Sequence, residues 1–423
     1  MSLHNLDALL SPASVAVIGG SDRPGSVGRV VVDNLLSGGF SGPIHLVNPR
    51  PVSVAGATWS ATIADLPEPP ELAVVAVPAP AVPQVIAELA AAGVKIAVVL
   101  SAGITLANGL RQAMLEAAKP FGLRIVGPNG LGLLAPHARL NASFARGAPA
   151  PGGLALISQS GALVSGVIDW ANTRQLGFSG IVSMGDMAEV DLGDLIDLFA
   201  ADPHTDAILL YIEGVTDAAK FMSAARAAAR IKPVIALKAG RSAAAGKAVR
   251  SHTGALAGSY EVHASAFERA GLVQVETLSE LFDAAAVLRA GRDLAGERLA
   301  VVTNGGGAGI LAVDAMTSTG GVLAELGPLT LDRLNAALPA GWSGGDPVDL
   351  VGDAGSERYR LALDAVLADD GVDAVLVMNC PTALSKPGDI ARGVAAAIVA
   401  ARGRGVRKPV IACWLGDANQ AAA

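Results

Sequence analysis

The sequence reads Leu154-Ala-Leu-Ile-Ser-Gln-Ser-Gly161 near its middle and repeats this pattern as Leu299-Ala-Val-Val-Thr-Asn-Gly-Gly306. Each stretch puts a short apolar run before a small polar turn, which is typical of a buried strand that leads into a helix. Two later pairs of stretches match in the same order: Asp206-Ala-Ile-Leu-Leu210 with Asp373-Ala-Val-Leu-Val377, and Lys232-Pro-Val-Ile-Ala236 with Lys408-Pro-Val-Ile-Ala412. Ordered matches of this kind indicate a duplicated domain.

The same alternation of strand, turn and helix precedes the repeat, so we predict an α/β protein with parallel sheets. The first unit opens with Ser14-Val-Ala-Val-Ile18 and a glycine-rich turn, as Rossmann-like domains do. We predict a Rossmann-like domain over residues 1–145, followed by duplicated flavodoxin-like domains over residues 150–290 and 297–423. The last of these stops soon after Trp414, so we expect it to be incomplete or to be completed by a partner.

The composition argues against several classes of protein. An apolar content of 52% with 4% aromatic residues predicts cores built from Ala, Val and Leu rather than disorder. The formal net charge of −7 argues against a nucleic-acid partner. Neither a membrane-length apolar run nor a secretory signal is recognisable, so we expect no membrane partner. Cys380 and Cys413 lie far apart, which fits a reducing cytoplasm better than a disulfide framework.

Glycine-rich turns after predicted strands are candidates for anion binding. They are residues 19–28 and the aligned turns at residues 158–161 and 303–307. Each would present backbone N–H groups at a helix N-terminus, on the carboxyl edge of a parallel sheet. The alternative is that each turn only starts a helix, and that duplication alone explains the matching pair.

The residues after the second strand bear on the ligand of the first turn. A site for NAD places an acidic residue there. This chain instead has Asn48-Pro49-Arg50. Arg50 favours a phosphorylated ribose, as in coenzyme A or NADP, and the alternative is a turn without a ligand.

His252 lies in Arg250-Ser-His-Thr-Gly-Ala-Leu-Ala-Gly258, among small residues that let another group approach closely. Imidazole can act as a nucleophile near neutral pH without a metal, so His252 is a candidate phosphate carrier. Glu213 ends a predicted buried strand, where its carboxylate could bind one ring nitrogen of His252 and leave the other free to attack. The alternative for Glu213 is a solvated loop charge. We predict no metal ligands, because no set of residues has the required spacing.

An acidic run precedes and enters a predicted helix and comprises Asp186, Glu189, Asp191, Asp194 and Asp197. Carboxylates are favourable near a helix N-terminus, so we expect a solvated helix start. The rim of an active site is the alternative.

A series of motifs, in order along the chain, resembles the α subunit of ADP-forming acyl-CoA synthetases, in the succinyl-CoA synthetase superfamily. The motifs include Val47-Asn-Pro-Arg50, Gly127-Pro-Asn-Gly-Leu-Gly132, Tyr211-Ile-Glu-Gly214, Lys238-Ala-Gly-Arg241, Ser251-His-Thr-Gly254 and Asp346-Pro-Val-Asp-Leu350. The family usually has Pro-Asn-Cys where this chain has Pro-Asn-Gly130.

The resemblance implies a role for each matching residue. His252 would carry the phosphoryl group and Glu213 would orient it. Phosphate would be held by Ser160, Gly161, Gly305 and Gly306. Coenzyme A or acyl-CoA would be bound by Gly20, Ser21, Pro49, Arg50, Val77, Pro78, Ser101, Gly103 and Asn129.

The resemblance also implies an acid–thiol ligase component that interconverts acyl-CoA plus phosphate and acid plus coenzyme A through a phosphohistidine. ATP or ADP with Mg²⁺ would be handled by an ATP-grasp β subunit or a fused C-terminal domain, because no ATP-grasp domain fits among the predicted units. We expect a small carboxylic acid substrate and an oligomeric assembly.

The same units also resemble the synthetase-like region of multidomain protein lysine acetyltransferases. The alternative function is therefore a regulatory region that senses coenzyme A or acetyl-CoA without ligase chemistry. An NADP oxidoreductase is a more distant alternative, since the sequence has no separate hydride-transfer site.

Overall fold

The computed structural model describes residues 5–174, 176–253, 259–290 and 296–416, without the side chains of residues 250–253, 289 and 290. The chain divides into two compact units, Met1–Ala286 and Val287–Ala423. The first unit contains two β-sheets and the second contains one. Strands alternate with helices along the chain and most strand pairs are parallel, so the predicted α/β class is confirmed.

The first sheet is parallel, with strand order β3-β2-β1-β4-β5-β6. Strand β1 lies where the order reverses, and ligands of such sheets bind beyond the carboxyl ends of the strands at that point. Alternate residues of β1 pack into different cores, one with helix α1 and one with helix α2, so its sequence is apolar throughout. The elements are β1 Val15–Ile18, α1 Val27–Ser37, β2 Ile44–Val47, β3 Thr58–Ser60, β4 Leu72–Val75, α2 Val82–Ala91, β5 Ile96–Val99, α3 Leu110–Ala118 and β6 Arg124–Val126.

The second sheet has the order β13-β12-β11-β9-β10-β7-β8, in which β9 to β13 are parallel. Helix α4 starts at Gly161, the last residue of the turn at residues 158–161, as the sequence predicts. The elements are β7 Gly132–Ala135, β8 Leu140–Ser143, β9 Pro151–Ser158, α4 Gly161–Thr173, β10 Phe178–Ser183, α5 Leu192–Ala201, β11 Ala207–Ile212, α6 Ala218–Ala229, β12 Val234–Lys238, α7 Ala243–Thr253, α8 Tyr260–Ala270, β13 Val273–Val275 and α9 Leu278–Ala290.

The boundary between the first two sheets differs from the prediction. Residues 132–143 were assigned to the first domain, 1–145, yet β7 and β8 form a hairpin on the second sheet, where β7 pairs antiparallel with β10. Every residue of the hairpin strands is buried, so their backbone groups need hydrogen-bond partners within the protein. The edge of β10 that does not pair with β9 supplies such partners for β7. The chain therefore leaves the first sheet soon after β6.

The third sheet repeats the second around its central strand. Strand β14 occupies the place of β9, and helix α10 begins at Gly306, which aligns with the start of α4 at Gly161. The elements are β14 Arg298–Thr303, α10 Gly306–Ser318, β15 Val322–Leu323, α11 Pro328–Ala337, β16 Val348–Asp349, α12 Ser356–Leu367, β17 Ala374–Asn379, α13 Pro387–Gly403 and β18 Val410–Trp414.

The two copies differ beside the central strand. In the first copy a single strand, β10, pairs along β9. In the second copy β15 pairs with the start of β14 and β16 with its end. The N–H of Val301 lies between these two pairings and donates to the Asp346 carboxylate at 2.9 Å. A side chain thus completes the ladder where the strand is interrupted.

None of the helices in the described ranges has both the length and the apolar character that crossing a bilayer requires.

Candidate functional site

The residues predicted to bind coenzyme A all follow the carboxyl ends of neighbouring strands in the first sheet. Gly20 and Ser21 follow β1, Pro49 and Arg50 follow β2, Val77 and Pro78 follow β4, Ser101 and Gly103 follow β5, and Asn129 follows β6. The structure therefore brings them to one edge of one sheet. Most of these residues are partly or fully exposed there, so a ligand can reach them.

The first turn is shaped by close contacts of glycine backbone. A Cβ atom on Gly28 would lie 2.1 Å from the carbonyl oxygen of Gly19, so helix α1 can start this close to the turn only with glycine there. Gly19 has φ +91°, and a Cβ on it would lie 2.6 Å from the oxygen of Ala76. The turn therefore presents mainly backbone to a ligand, which suits a phosphate group.

Asn48 holds neighbouring turns of this edge together and was not among the predicted site residues. Its Nδ2 donates to Gly20 O at 2.9 Å, its Oδ1 accepts the N–H of Arg50 at 3.0 Å, and its backbone oxygen accepts Trp59 Nε1 at 2.9 Å. Its place between a strand and Pro49-Arg50 was the sequence signal that could have identified it. Asn48 thereby fixes the backbone at Arg50, whose side chain is exposed.

The turn after β6 connects the sheet edge that carries the predicted coenzyme A residues, here called the coenzyme edge, to the second sheet, which is the first flavodoxin-like copy. Asn129 adopts a left-handed backbone with φ 63°, and its Nδ2 donates to Asp186 Oδ1 at 3.3 Å. The N–H of Leu131 donates to Ser183 Oγ at 2.9 Å. A Cβ on Gly161 would lie 3.2 Å from Leu131 Cβ. Within the first unit, Asn129, one of the residues predicted to bind coenzyme A, is thus two positions from Leu131, which packs on the predicted phosphate turn.

Gly130 sits where the family usually has cysteine, and its surroundings are tight. A Cβ on Gly130 would lie 2.4 Å from Ser183 O. A Cβ on Gly185, from the facing loop, would lie 2.0 Å from Pro128 O. These two segments pack backbone against backbone, and that contact needs glycine on both sides.

The acidic run next to this loop is not the solvated helix start that the sequence indicated. Asp191 and Asp194 cap helix α5 and are buried. Lys220 Nζ contacts both carboxylates, at 3.1 and 2.6 Å, and Arg124 contacts Asp194 at 3.2 Å. The expectation was wrong for these residues because the run lies against β6 of the first sheet, where the Arg124–Glu189 pair at 2.8 Å also forms.

The phosphate turn of the first copy is held by hydroxyl groups. Ser158 Oγ accepts the N–H of Ser160 at 3.1 Å and donates to Ser160 O at 2.9 Å. Ser160 is the N-cap of α4 and accepts the N–H of Leu163 at 3.4 Å. Gly161 is the first residue of the helix, so its N–H points along the helix axis towards the turn.

The phosphate turn of the second copy has the same framework with a different cap. Thr303 Oγ1 accepts the N–H of Gly305 at 3.0 Å and donates to Gly305 O at 3.3 Å. Gly305 is the N-cap of α10 without a side-chain bond, and Gly306 follows as the first helical residue. The two turns belong to separate units, so their expected convergence on one phosphate stays a prediction.

Glu213 follows β11 and is 6% exposed, so it is not the solvated loop charge that we considered as an alternative. Its N–H donates to Gln159 Oε1 at 2.6 Å, and the N–H of Gly214 donates to the same oxygen at 3.1 Å. Lys238 Nζ donates to the carbonyl oxygen of Glu213 at 3.0 Å. Burial, together with the charge of Glu213, raises the pKa of Tyr211 above its ordinary value.

His252 lies in the last turn of helix α7, which ends at Thr253. Its side chain is outside the described part of the structure, as are residues 254–258. The predicted hydrogen bond between His252 and Glu213 therefore stays a prediction.

Three family models match the chain in succession. Residues 13–136 match a CoA binding domain, residues 151–288 match a succinyl-CoA ligase like flavodoxin domain, and residues 299–423 match a Ligase-CoA domain. These ranges follow the order of the three sheets.

The chain is similar to ligases of known name along most of its length. It is 41% identical over 382 residues to acetate–CoA ligase (ADP-forming) I of Archaeoglobus fulgidus, covering 89% of this chain and 55% of that protein. It is 37% identical over 423 residues to the α subunit of acetate–CoA ligase (ADP-forming) I of Pyrococcus furiosus, covering 97% of this chain and 90% of that subunit. The chain thus spans about half of the first relative and most of the second.

A solved structure is similar over nearly the whole chain. It is the dinucleotide forming acetyl-coenzyme A synthetase 1 of Candidatus Korarchaeum cryptofilum in complex with phosphate and ADP. The TM-score is 0.93 at 34% identity, covering 98% of this chain and 90% of that chain.

Proposed function

The chain belongs to the family of α subunits of ADP-forming acetate–CoA ligases, whose members are CoA-binding ligase components, and we propose that it carries out the acyl and phosphohistidine chemistry of such a ligase. In this proposal it interconverts acyl-CoA plus phosphate and carboxylic acid plus coenzyme A. The substrate is a small acid of the acetate class, by analogy with the named relatives.

The contact between the turn after β6 and the first phosphate turn is the observation that supports this proposal most strongly. Leu131 packs on Gly161, and Asn129 lies two residues before Leu131 in the chain. A coenzyme A thiol held near Asn129 would therefore lie close to an acyl phosphate held at Ser160 and Gly161. Placing two reacting groups together in this way is a large part of what an enzyme supplies.

The proposed reaction has two steps in the direction of acyl-CoA synthesis. A carboxylate oxygen attacks the phosphorus of phospho-His252, the P–N bond breaks, and the product is an acyl phosphate. The sulfur of coenzyme A, having lost its proton, then attacks the acyl carbon and the C–O bond to phosphate breaks. Helix N-termini at Gly161 and Gly306 would stabilise the phosphoryl charge, and Glu213 would hold the ring of His252 in the reactive tautomer.

The nucleotide half of the reaction requires another domain in this proposal. An ATP-grasp β subunit, or the same domain fused C-terminally, would bind ADP or ATP with Mg²⁺ and exchange the phosphoryl group with His252. The word "subunit α" in the name of the Pyrococcus relative supports such a partner. We further propose an oligomeric assembly and a cytoplasmic location, where the thiols of Cys380 and Cys413 stay reduced.

The relatives named above are ligases and give no support to the regulatory alternative, a sensor region of a protein acetyltransferase. The two functions can be distinguished by experiment, because a sensor binds coenzyme A without forming a phosphoenzyme, whereas the proposed ligase forms one.

Phosphoenzyme formation tests the proposal without a partner subunit. The chain is incubated with acetyl-CoA and [³²P]phosphate, and we expect acid-labile, base-stable label that depends on both reagents. His252→Ala should abolish the label while leaving coenzyme A binding intact. Unlabelled wild-type protein that still binds coenzyme A would leave only the sensor function.

Binding measurements test the first sheet separately. Arg50→Glu should weaken coenzyme A binding by about 10–100-fold, because a charge-assisted contact to phosphate is replaced by repulsion. Lys119→Glu is the matched control, since Lys119 is exposed and precedes β6 at the opposite edge of the sheet. Titration calorimetry should show coenzyme A binding in preference to NADP. Equal affinities of both variants for coenzyme A would contradict the assignment of Arg50.

A further inference from the structure

Lys238, the last residue of β12, carries a buried ammonium group that the proposed function does not yet use. Only 5% of the residue is exposed. Burial lowers the pKa of Lys238 from its ordinary value, while the charge of Glu213 acts in the opposite direction. Taking an ammonium group out of water costs free energy. Its presence at the carboxyl edge of the sheet therefore calls for a compensating role.

The contacts of Lys238 hold the backbone of Glu213. Lys238 Nζ donates to Glu213 O at 3.0 Å and also to the carbonyl oxygen of Ala239. Gln159 Oε1 accepts the N–H of Glu213 at 2.6 Å. The N–H and the carbonyl oxygen of Glu213 are thus fixed by two side chains, one from the residue after β9 and one from the last residue of β12, the strands on either side of β11. Because the backbone of Glu213 is fixed, the positions that its buried carboxylate can occupy are restricted.

The second copy shows that this fold does not need the lysine. Trp414 occupies the place of Lys238, since β18 pairs it with Asn379 as β12 pairs Lys238 with Ile212. Cys380 occupies the place of Glu213, one residue past the strand. There Asn304 binds both backbone groups of Cys380, with Oδ1 accepting the Cys380 N–H at 2.7 Å and Nδ2 donating to Cys380 O at 3.1 Å.

Another lysine does recur in both copies, and its contacts are structural. Lys232 Nζ donates to Phe199 O at 3.0 Å and Asp202 O at 2.6 Å, and the aligned Lys408 donates to Asp369 O. Lys232 lies two residues before β12 and Lys408 two residues before β18, at the amino edges of their sheets. Duplication has kept the lysine that braces the fold, whereas Lys238 occurs only in the copy that contains Glu213 and His252.

We propose that Lys238 is a positioning residue for phosphoryl transfer at His252. Its ammonium group fixes the backbone of Glu213, and its charge offsets part of the negative charge that a phosphoryl group brings to a region already containing a buried carboxylate. No bond to Lys238 forms or breaks. This inference rests on the proposed function, in which His252 is the phosphate carrier.

The test compares Lys238→Met with Lys232→Met, because each change removes an ammonium group that donates to two backbone carbonyls of the first copy. The full chain is incubated with [³²P]acetyl phosphate, which bypasses the thiol step. The measured quantities are the rate constant of His252 labelling, the final labelled fraction, the melting temperature and the affinity for coenzyme A.

We expect Lys238→Met to slow labelling on the order of 10–100-fold, the effect of misplacing a reacting group, and to lower the final labelled fraction. Lys232→Met should label within about threefold of wild type even where its melting temperature falls further. Both should bind coenzyme A normally. Equal labelling of the two variants, corrected for folded fraction, would overturn the inference, whereas wild-type protein without label would overturn the proposed function and the inference with it.

A second pair of variants covers the case in which Lys238→Met does not fold. Lys238→Arg keeps the positive charge and Lys238→Gln keeps only a hydrogen-bond donor. We expect the arginine variant to label at least about tenfold faster than the glutamine variant, because the charge as well as the hydrogen bond contributes. Equal rates for the two variants would show that the ammonium charge plays no part.

Discussion

The two flavodoxin-like copies share a framework and differ in the groups that it presents. In both, a hydroxyl at the end of the central strand holds the following turn: Ser158 in the first copy and Thr303 in the second. In both, an amide side chain binds the turn after the neighbouring strand: Gln159 and Asn304. The framework is therefore common to both copies and independent of the groups that each copy presents.

The two copies differ most at two positions that are charged in the first copy: the residue after β11 and the last residue of β12. Glu213 and Lys238 of the first copy are replaced by Cys380 and Trp414 in the second. Burial raises the pKa of the Cys380 thiol, which keeps it protonated and uncharged. The first copy thus combines a helix N-terminus with a buried lysine that binds the backbone of a buried glutamate, and the second copy has a neutral thiol and an indole at the matching positions. We infer that the first copy carries the phosphoryl group.

The largest expected effect comes from replacing Glu213, the residue after β11, and comparing it with a replacement of Cys380, the equivalent residue after β17. Glu213→Gln should slow labelling of His252 by [³²P]acetyl phosphate by about 100-fold or more, because the neutral amide cannot hold the ring in its reactive tautomer in the same way. Cys380→Ser, at the matching position of the second copy, should stay within about threefold of wild type. Similar losses in both variants would erase the functional difference between the copies.

The second expected effect is a pH dependence of the stability of the second unit that Asp346 causes. Burial raises the pKa of Asp346 to about 7, although its carboxylate accepts backbone N–H groups of Val301 and Val348. A carboxyl group with a raised pKa in the folded state stabilises the fold most at low pH. That contribution is complete below about pH 4 and is lost as the pH rises through about 7.

Asp346→Asn should remove this dependence while keeping an oxygen that accepts the N–H of Val301. The unfolding free energy of the second unit in wild type, relative to the variant, should fall by roughly 2–4 kcal/mol between pH 4 and pH 8. Hydrogen exchange measures the two units separately. A difference that does not change with pH would contradict the raised pKa, and the first unit, where β10 is continuous, serves as the internal control.

The third prediction concerns Gly305, the N-cap of helix α10 in the second copy, and the reason that this position is glycine. A Cβ on Gly305 would lie 2.4 Å from Cys380 Sγ and 3.2 Å from its Cβ. Gly305→Ala should therefore destabilise the second unit by about 1–3 kcal/mol. Adding Cys380→Ala should recover most of this, and denaturant unfolding of the four proteins of the cycle gives the coupling. Additive effects of the two changes would show that the thiol is not what excludes a side chain at residue 305.

The smallest effect concerns the N-cap of the first copy. Ser160→Ala should destabilise the first unit by about 1 kcal/mol, whereas Ser160→Gly should cost only a few tenths, because glycine is itself an acceptable N-cap. The second copy already uses glycine there, at Gly305. Urea unfolding of both variants measures the difference. An alanine variant as stable as the glycine variant would mean that the Ser160 hydroxyl does not stabilise helix α4.

The sequence predicted the fold well because its signals are local. Apolar runs such as residues 154–157 and 299–302, each followed by a small polar turn, predict buried strands, and the structure has strands at both places. The coenzyme edge followed from the same rule, since strand ends in a parallel sheet lie together. Residues 132–143 were included in the predicted first domain, 1–145, although they form a hairpin on the second sheet, because the pairing with β10 is long-range and leaves no local signal.

The site was harder to predict where charge is buried. Lys238 and Glu213 both end apolar strands, but only structure shows that one binds the backbone of the other. Asp191 and Asp194 have the sequence of a solvated helix start, and their burial depends on Lys220 and Arg124, which are distant in sequence. Burial of a charged side chain depends on its partners, which a single sequence does not reveal.

Peptide mapping of the labelled protein tests most directly whether the first copy carries the phosphoryl group. The chain is labelled with [³²P]acetyl phosphate, digested under alkaline conditions, and the labelled residue is identified by mass spectrometry. We predict base-stable, acid-labile phosphate on His252 alone, with residues 297–423 unlabelled. Phosphate on any residue of the second copy, or a labelled His252→Ala variant, would contradict the assignment.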